Sequence, residues 1–539
     1  MAEDSSIAAA PAPEEGVISK TYHEVTQPFI DLWHAPRALW GVNLAYTIEG
    51  LSYFGILTYL AIHFSDFVFK GVEHSDVWSH EMVMVLTAGI AIAMVVLGFV
   101  PDKWGVRRAL ILAFVFLLVG RIIMSAAPTV LGLAPSGIWS PLHLLTMAGI
   151  LLVVVGYGMY QPAAYAAVRK FTNPKTASMA YAMLYALMNL GSSLAMLAFL
   201  LRDDQFLGLG ITGTFWVYTG LTLVSLLSTI FILSRKTVAE AIDRAKAETE
   251  AMGAAAQEAA AKSGEQKSKD DVATGPRKVP VTAWIILGAI LVTAYFRLPE
   301  PGNYAGSLIV LLIPVVISLL PARMRNSTIQ WIALHPLADP RFFFFIFALM
   351  PVQTLFTYNW LVLPQYISRA FAGGWIGEYY EVASNANPIL IFILVPVITA
   401  LTYKAKVYNM MVIGTLVMGA SAFILAFGPT PITLLGYIVC MTVGEAMWSA
   451  RFLQYATEIA PPERAGLYQG VAQLPWFLTK FLVPLLYSGQ MMEKYCPADG
   501  PKNTESMWLI FGLIAVITPT ALWLSRGWMM KGFKVKHEG

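Results

Sequence analysis

Charged residues are scarce in this sequence. Asp, Glu, Lys and Arg make up only 13% of its 539 residues, and 57% of the residues are hydrophobic. Soluble domains carry about 25% charged residues, so this chain cannot hide its apolar surface in one soluble core. We therefore expect an integral membrane protein. The formal net charge of +3 is too small to indicate a nucleic-acid partner.

Cysteine is also nearly absent, and enzyme motifs are lacking. Cys440 lies in an apolar run and Cys496 in a polar loop, so the two predict neither a metal site nor a disulfide framework. No nucleotide-binding loop, metal cluster or nucleophile triad stands out. We expect no enzymatic activity and no cofactor.

The N-terminus lacks the basic start and short apolar run of a signal peptide. Residues 1–37 are polar and acidic with Ala-Pro repeats, which predicts a disordered cytoplasmic tail.

Long apolar runs are abundant. A membrane-spanning helix needs about 20 mostly apolar residues, and the sequence contains about fourteen such runs. They lie near residues 38–63, 80–100, 107–126, 143–167, 177–201, 212–234, 281–297, 304–321, 342–367, 385–403, 408–427, 431–456, 465–490 and 506–525. The fold class is therefore an all-α membrane protein.

Loop charges predict the orientation, because cytoplasmic loops hold excess Lys and Arg. Alternate loops are basic, for example at Arg323 and Arg325, whereas the loop from Ser125 to His143 is nearly bare. With an even number of spans, both termini are expected in the cytoplasm. The predicted organisation is a six-helix bundle at 38–234, a cytoplasmic linker at 235–280, two extra helices at 281–321, a second six-helix bundle at 342–526 and a cytoplasmic tail at 527–539.

A short polar turn separates the second and third apolar runs. It contains Asp102, Gly105 and Arg107, and it resembles the loop between helices 2 and 3 of the major facilitator superfamily. That resemblance implies two six-helix bundles around a central cavity, with the halves rocking around a substrate near mid-membrane. Asp102 either caps the third helix or forms, with Arg107, a cytoplasmic hinge of charge contacts.

Several segments resemble the proton-coupled oligopeptide transporters, one branch of that superfamily. The segment Glu49-Gly-Leu-Ser-Tyr53-Phe-Gly55 matches part of the family's helix-1 motif, and Tyr185-Ala-Leu-Met-Asn189-Leu-Gly191-Ser192 matches helix 5. Asn387-Pro388 begins helix 8, and Gly444-Glu445 lies in helix 10, as in family members. Bacterial members often carry two extra helices between the halves, which suggests a bacterial inner membrane.

The sequence differs from the family pattern at the positions of two basic residues and one acidic residue. Its first helix-1 Glu is Tyr46 here, its helix-1 Arg is Gly50, and its helix-4 Lys is Gln161. In the family this Arg and Lys help to hold the peptide's carboxylate and to couple proton movement. A buried carboxylate without such partners costs several kcal/mol, so we do not expect ordinary di- and tripeptides as substrates.

Ionisable residues within a membrane span usually face a cavity and serve function. Glu49, which has lost its Arg neighbour, and Glu445 are the candidate proton-coupling groups, and the resemblance places Glu445 opposite the substrate's amino group. Lys480 either pairs with Glu445 or replaces the missing cations. Arg121 is expected to snorkel to the membrane interface. Arg451 and Glu458 form either a gate or a structural ion pair.

A set of aromatic and polar residues could line the substrate pocket, although any single aromatic residue is more often packing. It comprises Tyr46, Tyr53, Tyr157, Tyr160, Gln161, Tyr185, Asn189, Gln353, Asn359, Trp448 and Trp476.

Three functions remain open. The first is a proton-driven symporter, powered by the proton gradient, for a small peptide-like or amphipathic organic solute. The second is an exporter of the same fold that acts as a proton antiporter. The third is a non-transporting scaffold or subunit of a membrane complex, although a monomer bound to its small-molecule substrate and the lipid bilayer is favoured.

Overall fold

The structure is a computed structural model that describes residues 35–263, 278–297, 302–402, 405–459, 468 and 471–530. These residues are almost entirely helical, and no strand occurs among them. The predicted tail at 1–37, the middle of the linker and the tail at 527–539 lie largely outside the described residues.

The N-terminal half contains six long helices. They are α1 (Arg37–Val68), α2 (Ser75–Leu97), α3 (Val106–Ala126), α4 (Pro141–Phe171), α5 (Pro174–Leu194) and α6 (Gly210–Ile232). Short helices at Ala195–Ala198 and Phe199–Arg202 extend α5. Five of the six are long and apolar enough to span a membrane by themselves.

Four helices connect the halves. They are α7 (Arg235–Ser263), α8 (Val281–Arg297), α9 (Gly302–Leu319) and α10 (Ala322–Leu334). Helix α7 is polar, and Arg244 lies one turn before Glu248 with 2.8 Å between Nε and Oε1. The hydrogen bonds of Glu248 to Arg244 and Asn173 lower the pKa of this carboxyl. Because Asn173 lies in the α4–α5 connection, this contact ties α7 to the N-terminal half.

The described part of the C-terminal half contains eight helices of seven or more residues, besides short helices at Trp375–Glu378 and Tyr380–Ser384. They are α11 (Pro340–Leu361), α12 (Leu363–Ala370), α13 (Ala386–Leu401), α14 (Val407–Leu425), α15 (Pro431–Ile459), α16 (Leu474–Val483), α17 (Gly489–Tyr495) and α18 (Thr504–Met529).

Several predicted spans are broken into shorter helices. Helix α11 ends at Leu361, and Pro364 lies in the first turn of α12. Pro484 begins a π-helical turn between α16 and α17. Both breaks lie at prolines, which cannot donate a backbone hydrogen bond. Pro162, by contrast, lies inside the continuous helix α4. Ten helices meet the length and hydropathy of a membrane span, and shorter apolar helices accompany them. The predicted all-α membrane fold is confirmed.

Helices α1 and α5 approach each other closely through two glycines. A Cβ atom at Gly191 would lie 2.3 Å from the Thr47 carbonyl oxygen, and one at Gly50 would lie 2.9 Å from the Met188 carbonyl oxygen. These distances are shorter than a van der Waals contact, so larger side chains would push the helices apart. Gly50, which stands where the resemblance implies an Arg, is therefore a helix-packing position.

Candidate functional site

Glu49 lies at the centre of a buried polar cluster in the N-terminal half. Arg121 of α3 binds it with both terminal nitrogens, Nη1 to Oε2 at 2.8 Å and Nη2 to Oε1 at 2.5 Å. The Tyr157 hydroxyl of α4 donates to Oε1 at 2.5 Å, and Arg121 also donates to Thr222 of α6. The cluster thus joins four helices of one half.

This geometry corrects two expectations. Arg121 does not snorkel to an interface, because its side chain is only 2% exposed. Nor does Glu49 lack a cation, because Arg121 supplies from α3 the charge that position 50 has lost. Bidentate contact satisfies both carboxylate oxygens and is the strongest form of Arg–carboxylate pairing.

An aromatic layer surrounds this ion pair. Tyr46 stacks on Tyr160 with ring centroids 5.3 Å apart, and Tyr53 packs on Tyr157 at 4.9 Å. Tyr46, Tyr157 and Tyr160 are buried, whereas Tyr53 is partly exposed. Tyr46 and Tyr160 therefore act as packing residues in this conformation, whereas Tyr157 packs here and also donates its hydroxyl to Glu49.

Glu445 of α15 is the second buried acid, and its environment is different. The Asn387 amide of α13 donates to Glu445 Oε2 at 2.8 Å and to the Thr442 hydroxyl at 3.1 Å. Glu445 is 6% exposed and forms no ion pair within the part of the chain that the structure describes. Its charge has only neutral hydrogen-bonding partners there.

Neighbouring side chains extend this polar region. The Tyr437 hydroxyl of α15 donates to Asn359 Oδ1 at 3.1 Å, which ties α15 to α11. Gln353 of α11 is fully buried, and neither its amide oxygen nor its amide nitrogen has a hydrogen-bonding partner among the described residues. A buried amide in this state needs a water molecule or a ligand.

Lys480 of α16 does not pair with Glu445, so the first of the two roles considered for it is wrong. Both residues are described, and Lys480 forms neither an ion pair nor a hydrogen bond among the described residues. Its side chain is partly exposed. The nearby Trp476 ring packs on Phe356 of α11 with centroids 4.4 Å apart.

The two halves are joined at one end of the bundle, where α1 ends and α2 begins; we call this the distal end. Arg369 of α12 binds Asp76 of α2 with two hydrogen bonds of 2.7 Å and reaches Asp66 at 3.3 Å. His80 of α2 bonds Gln365 at 2.8 Å and Ser488 at 2.7 Å through its two ring nitrogens.

A second distal cluster centres on Glu381, which lies just before α13. Its Oε1 atom accepts hydrogen bonds from Tyr59 of α1 at 2.8 Å and from Arg202, after α5, at 2.7 Å. Nearby, His74 Nδ1 lies 2.6 Å from Glu493 Oε1, and this hydrogen bond raises the pKa of His74. The hydrogen bonds between the halves that the structure describes all lie at the distal end.

Comparison with known protein families identifies the superfamily of this chain. The sequence profile of the Major Facilitator Superfamily matches residues 39–484, which is most of the chain. The chain belongs to the major facilitator superfamily. A search among curated proteins gives no match.

Solved structures share the fold of this superfamily member. The transporter PepTSo, of the POT family, is 16% identical with a TM-score of 0.64 over 92% of this chain and 99% of that chain. A peptide transporter POT variant in complex with alafosfalin is 18% identical with a TM-score of 0.60, covering 93% of this chain and 96% of that one. A POT family transporter in complex with 5-aminolevulinic acid is 16% identical with a TM-score of 0.56, covering 92% and 97% of the two chains. At these identities the likeness concerns the fold.

The polar turn of this major facilitator chain differs from its expected geometry. Asp102 lies inside the short helix Val100–Trp104 and is exposed, whereas Gly105, with φ of 82°, is the residue before α3. Asp102 therefore does not cap α3, and it forms no ion pair with Arg107. Arg107 instead donates to the Leu233 carbonyl at 2.6 Å, at the end of α6.

The other predicted site residues of this superfamily member have less defined roles. Gln161 and Asn189 are partly exposed, and the side chain of Tyr185 lies outside the described residues. Trp448 is fully buried, and its indole nitrogen donates to the Met418 sulfur. Arg451 donates to the Thr402 carbonyl at 3.0 Å, and the side chain of Glu458, its proposed partner, lies outside the described residues.

Sequence reasoning missed the distal clusters. Arg369 and Glu381 lie between predicted spans, where charged residues are ordinary and give no signal of pairing. His80 stood at the very start of a predicted span, and Asp76 stood just outside it. The ionisable His80 at the start of that span was the one sequence feature that could have indicated the distal clusters.

Proposed function

We propose that this transporter is a proton-coupled symporter of a small peptide-like or amphipathic organic solute, working by alternating access. Its place would be the inner membrane of a bacterium, with both termini in the cytoplasm, as the loop charges predict. The observation that carries the proposal is the environment of Glu445, a buried acid without a cationic partner among the described residues.

A buried carboxylate is stable as an ion only beside a compensating charge. The Asn387 amide provides Glu445 with a hydrogen bond but no charge, and the nearby Thr442 hydroxyl donates to the Ile438 carbonyl instead. Either the amino group of a substrate or a proton would neutralise Glu445. Binding a substrate amine and binding a proton are both functions of a solute transporter, and a membrane scaffold needs neither.

Glu49 is the proposed coupling acid of the N-terminal half. Its protonation would have to break the bidentate contact with Arg121 and would leave that guanidinium buried beside neutral partners. Proton binding at Glu49 would therefore change the packing of all four helices around it. That coupling between charge and packing is what a proton-driven conformational change requires.

The remaining candidates surround these acids. Asn359, Gln353 and the partly exposed Tyr53, Gln161 and Asn189 are proposed to contact the solute. The distal hydrogen bonds would hold the halves together in a state open toward the cytoplasm. In the opposite state these bonds would be broken.

The test is uptake into proteoliposomes under an imposed pH gradient, acidic outside. The probes are alanyl-phenylalanine, its carboxyl-terminal amide and phenylethylamine. We expect gradient-dependent accumulation of at least one probe, and its loss in Glu49→Gln and in Glu445→Gln. Glu505→Gln, which changes an exposed acid at the distal end, is the matched control and should transport normally.

Two outcomes would contradict the symporter. Expulsion of a probe when protons enter would mean that the proton and the solute compete for one acid, as in an exporter. Neither uptake nor expulsion of any probe, with intact protein in the vesicles, would favour the scaffold.

A further inference from the structure

We propose that helix α10 lies in the membrane surface and binds the headgroups of anionic phospholipids through Arg323 and Arg325. The partner is the leaflet on the side of the polar linker. This inference concerns a surface outside the candidate transport site and goes beyond the proposed transport function.

The position of α10 along the chain places it at the membrane surface. Helix α9 meets the length and hydropathy of a membrane span, and α8 packs against it as a hairpin, so α9 ends on the side of the linker. Helix α10 begins at Ala322, three residues after α9 ends at Leu319. Arg325 Nη1 donates to the Ser318 carbonyl at 3.3 Å, which holds the start of α10 beside the end of α9. Helix α10 therefore starts where the chain leaves the apolar interior of the membrane.

The packing of α10 against the protein is weak. The structure describes all 13 of its residues, and none of them is buried. An isolated helix of about 12–15 residues is only marginally stable in water, and most helices gain their stability by packing an apolar face. Helix α10 therefore needs a surface that the rest of the described chain does not provide.

The large apolar side chains that α10 exposes lie on one face. Met324 and Trp331 are seven positions apart in a continuous α-helix and are 57% and 68% exposed. The His335 ring packs on Trp331 with centroids 5.4 Å apart and leaves most of the indole uncovered. Tryptophan is enriched at the membrane–water interface because its ring is amphipathic. This apolar face fits the boundary between headgroups and acyl chains.

Two arginines flank this apolar face. Arg323 and Arg325 are the neighbours of Met324 in sequence, so they lie about 100° to either side of it around the helix. Long basic side chains in such positions extend to the headgroups while the apolar face enters the acyl boundary.

The charge of this segment selects an anionic partner. The sequence contains no acidic residue between Ala322 and Ala338, so the segment itself offers the two arginines no carboxylate. Guanidinium groups bind phosphate oxygens in a bidentate manner. An anionic leaflet attracts basic residues beside a membrane span, whereas a zwitterionic leaflet has no net charge to attract them.

The experiment measures the depth of α10 in the full chain reconstituted into lipid nanodiscs. A nitroxide label is placed at Met324→Cys, with Cys440→Ala and Cys496→Ala as the background. Collisions with oxygen, which concentrates in lipid, and with a nickel chelate, which stays in water, report the depth of the label. In discs that contain phosphatidylglycerol, we expect oxygen collisions to dominate. Asn326→Cys, on the opposite face of α10, is the matched control and should favour the chelate.

Lipid composition and charge variants test the headgroup chemistry. Two arginines near an anionic surface should raise the ratio of lipid-immersed to water-exposed label roughly 30-fold in phosphatidylglycerol relative to phosphatidylcholine. The variant Arg323→Gln/Arg325→Gln should lose this lipid preference. The variant Lys236→Gln/Lys246→Gln removes two exposed charges from the polar helix α7 and should keep it.

Three outcomes would overturn the inference. Dominant collisions of the label at position 324 with the nickel chelate in phosphatidylglycerol would place α10 in water. Equal depth in both lipids, or an unchanged lipid preference after removal of both arginines, would reject anionic headgroups as the partner. Dipolar broadening between labels on two chains would mean that a second copy covers this face. None of these results depends on uptake in proteoliposomes, so the transport proposal is tested separately.

Discussion

Removing one partner of the Glu49–Arg121 pair should destabilise the protein far more than removing both. The carboxylate and the guanidinium are 0% and 2% exposed and share two hydrogen bonds. In Arg121→Met the carboxylate stays buried with the Tyr157 hydroxyl as its remaining donor. Breaking a buried pair in this way costs about 3–5 kcal/mol.

The double variant Glu49→Gln/Arg121→Met removes both charges. Replacing a buried pair by neutral groups of similar volume is often close to neutral, so most of the lost stability should return. The coupling energy of the double-mutant cycle should therefore exceed the loss of either single variant, about 3–5 kcal/mol, whereas independent sites would give only a few tenths.

The assay is unfolding of the purified protein in detergent micelles, followed by helix content, for the wild type, both single variants and the double variant. Thr222→Val is a useful control, because it removes one acceptor from Arg121 and leaves the ion pair in place. Additive losses, with the double variant as unstable as the sum of the single variants, would refute the reasoning. Glu49 and Arg121 would then be independent of each other.

Two further predictions concern the distal end and the helix packing. Arg369→Gln removes the bidentate contact to Asp76. It should lengthen the distance between spin labels at Lys70→Cys and Trp375→Cys, measured by double electron–electron resonance. An unchanged distance distribution would mean that this contact does not hold the halves together. Gly191→Val should lower the melting temperature and cost about 1–3 kcal/mol, because its Cβ atom would overlap the α1 backbone, and unchanged stability would contradict the close helix contact.

The fold was predictable because the membrane restricts it. A span must be long, apolar and helical, so hydropathy alone locates it, and short motifs such as Asn189-Leu-Gly191 add the family. The breaks between α11 and α12 and between α16 and α17 were less predictable. Pro162 lies inside a continuous helix while Pro484 begins a π-helical turn, so proline alone does not decide where a helix breaks.

The candidate site was predictable only residue by residue. Glu49, Glu445 and Lys480 stand out because each is an ionisable group in an apolar run. Their partners did not, because pairing is a tertiary property. Arg121 is 72 residues from Glu49 along the chain. When each charged residue is considered separately, Arg121 is predicted to lie at the membrane interface.

The ion pair also bears on whether the helix-1 motif has decayed. Without a nearby cation, Glu49 would be an isolated buried charge, which is costly. Here Arg121 Nη2 of α3 lies 2.5 Å from Glu49 Oε1, and Gly50 packs against Met188 of α5. Arg121 of α3 thus supplies the positive charge that Gly50 cannot supply from α1. Burying a charge pair such as Glu49–Arg121 is less favourable in free energy than burying neutral side chains of similar volume. A scaffold has no need of such a pair, so its presence favours a working transporter.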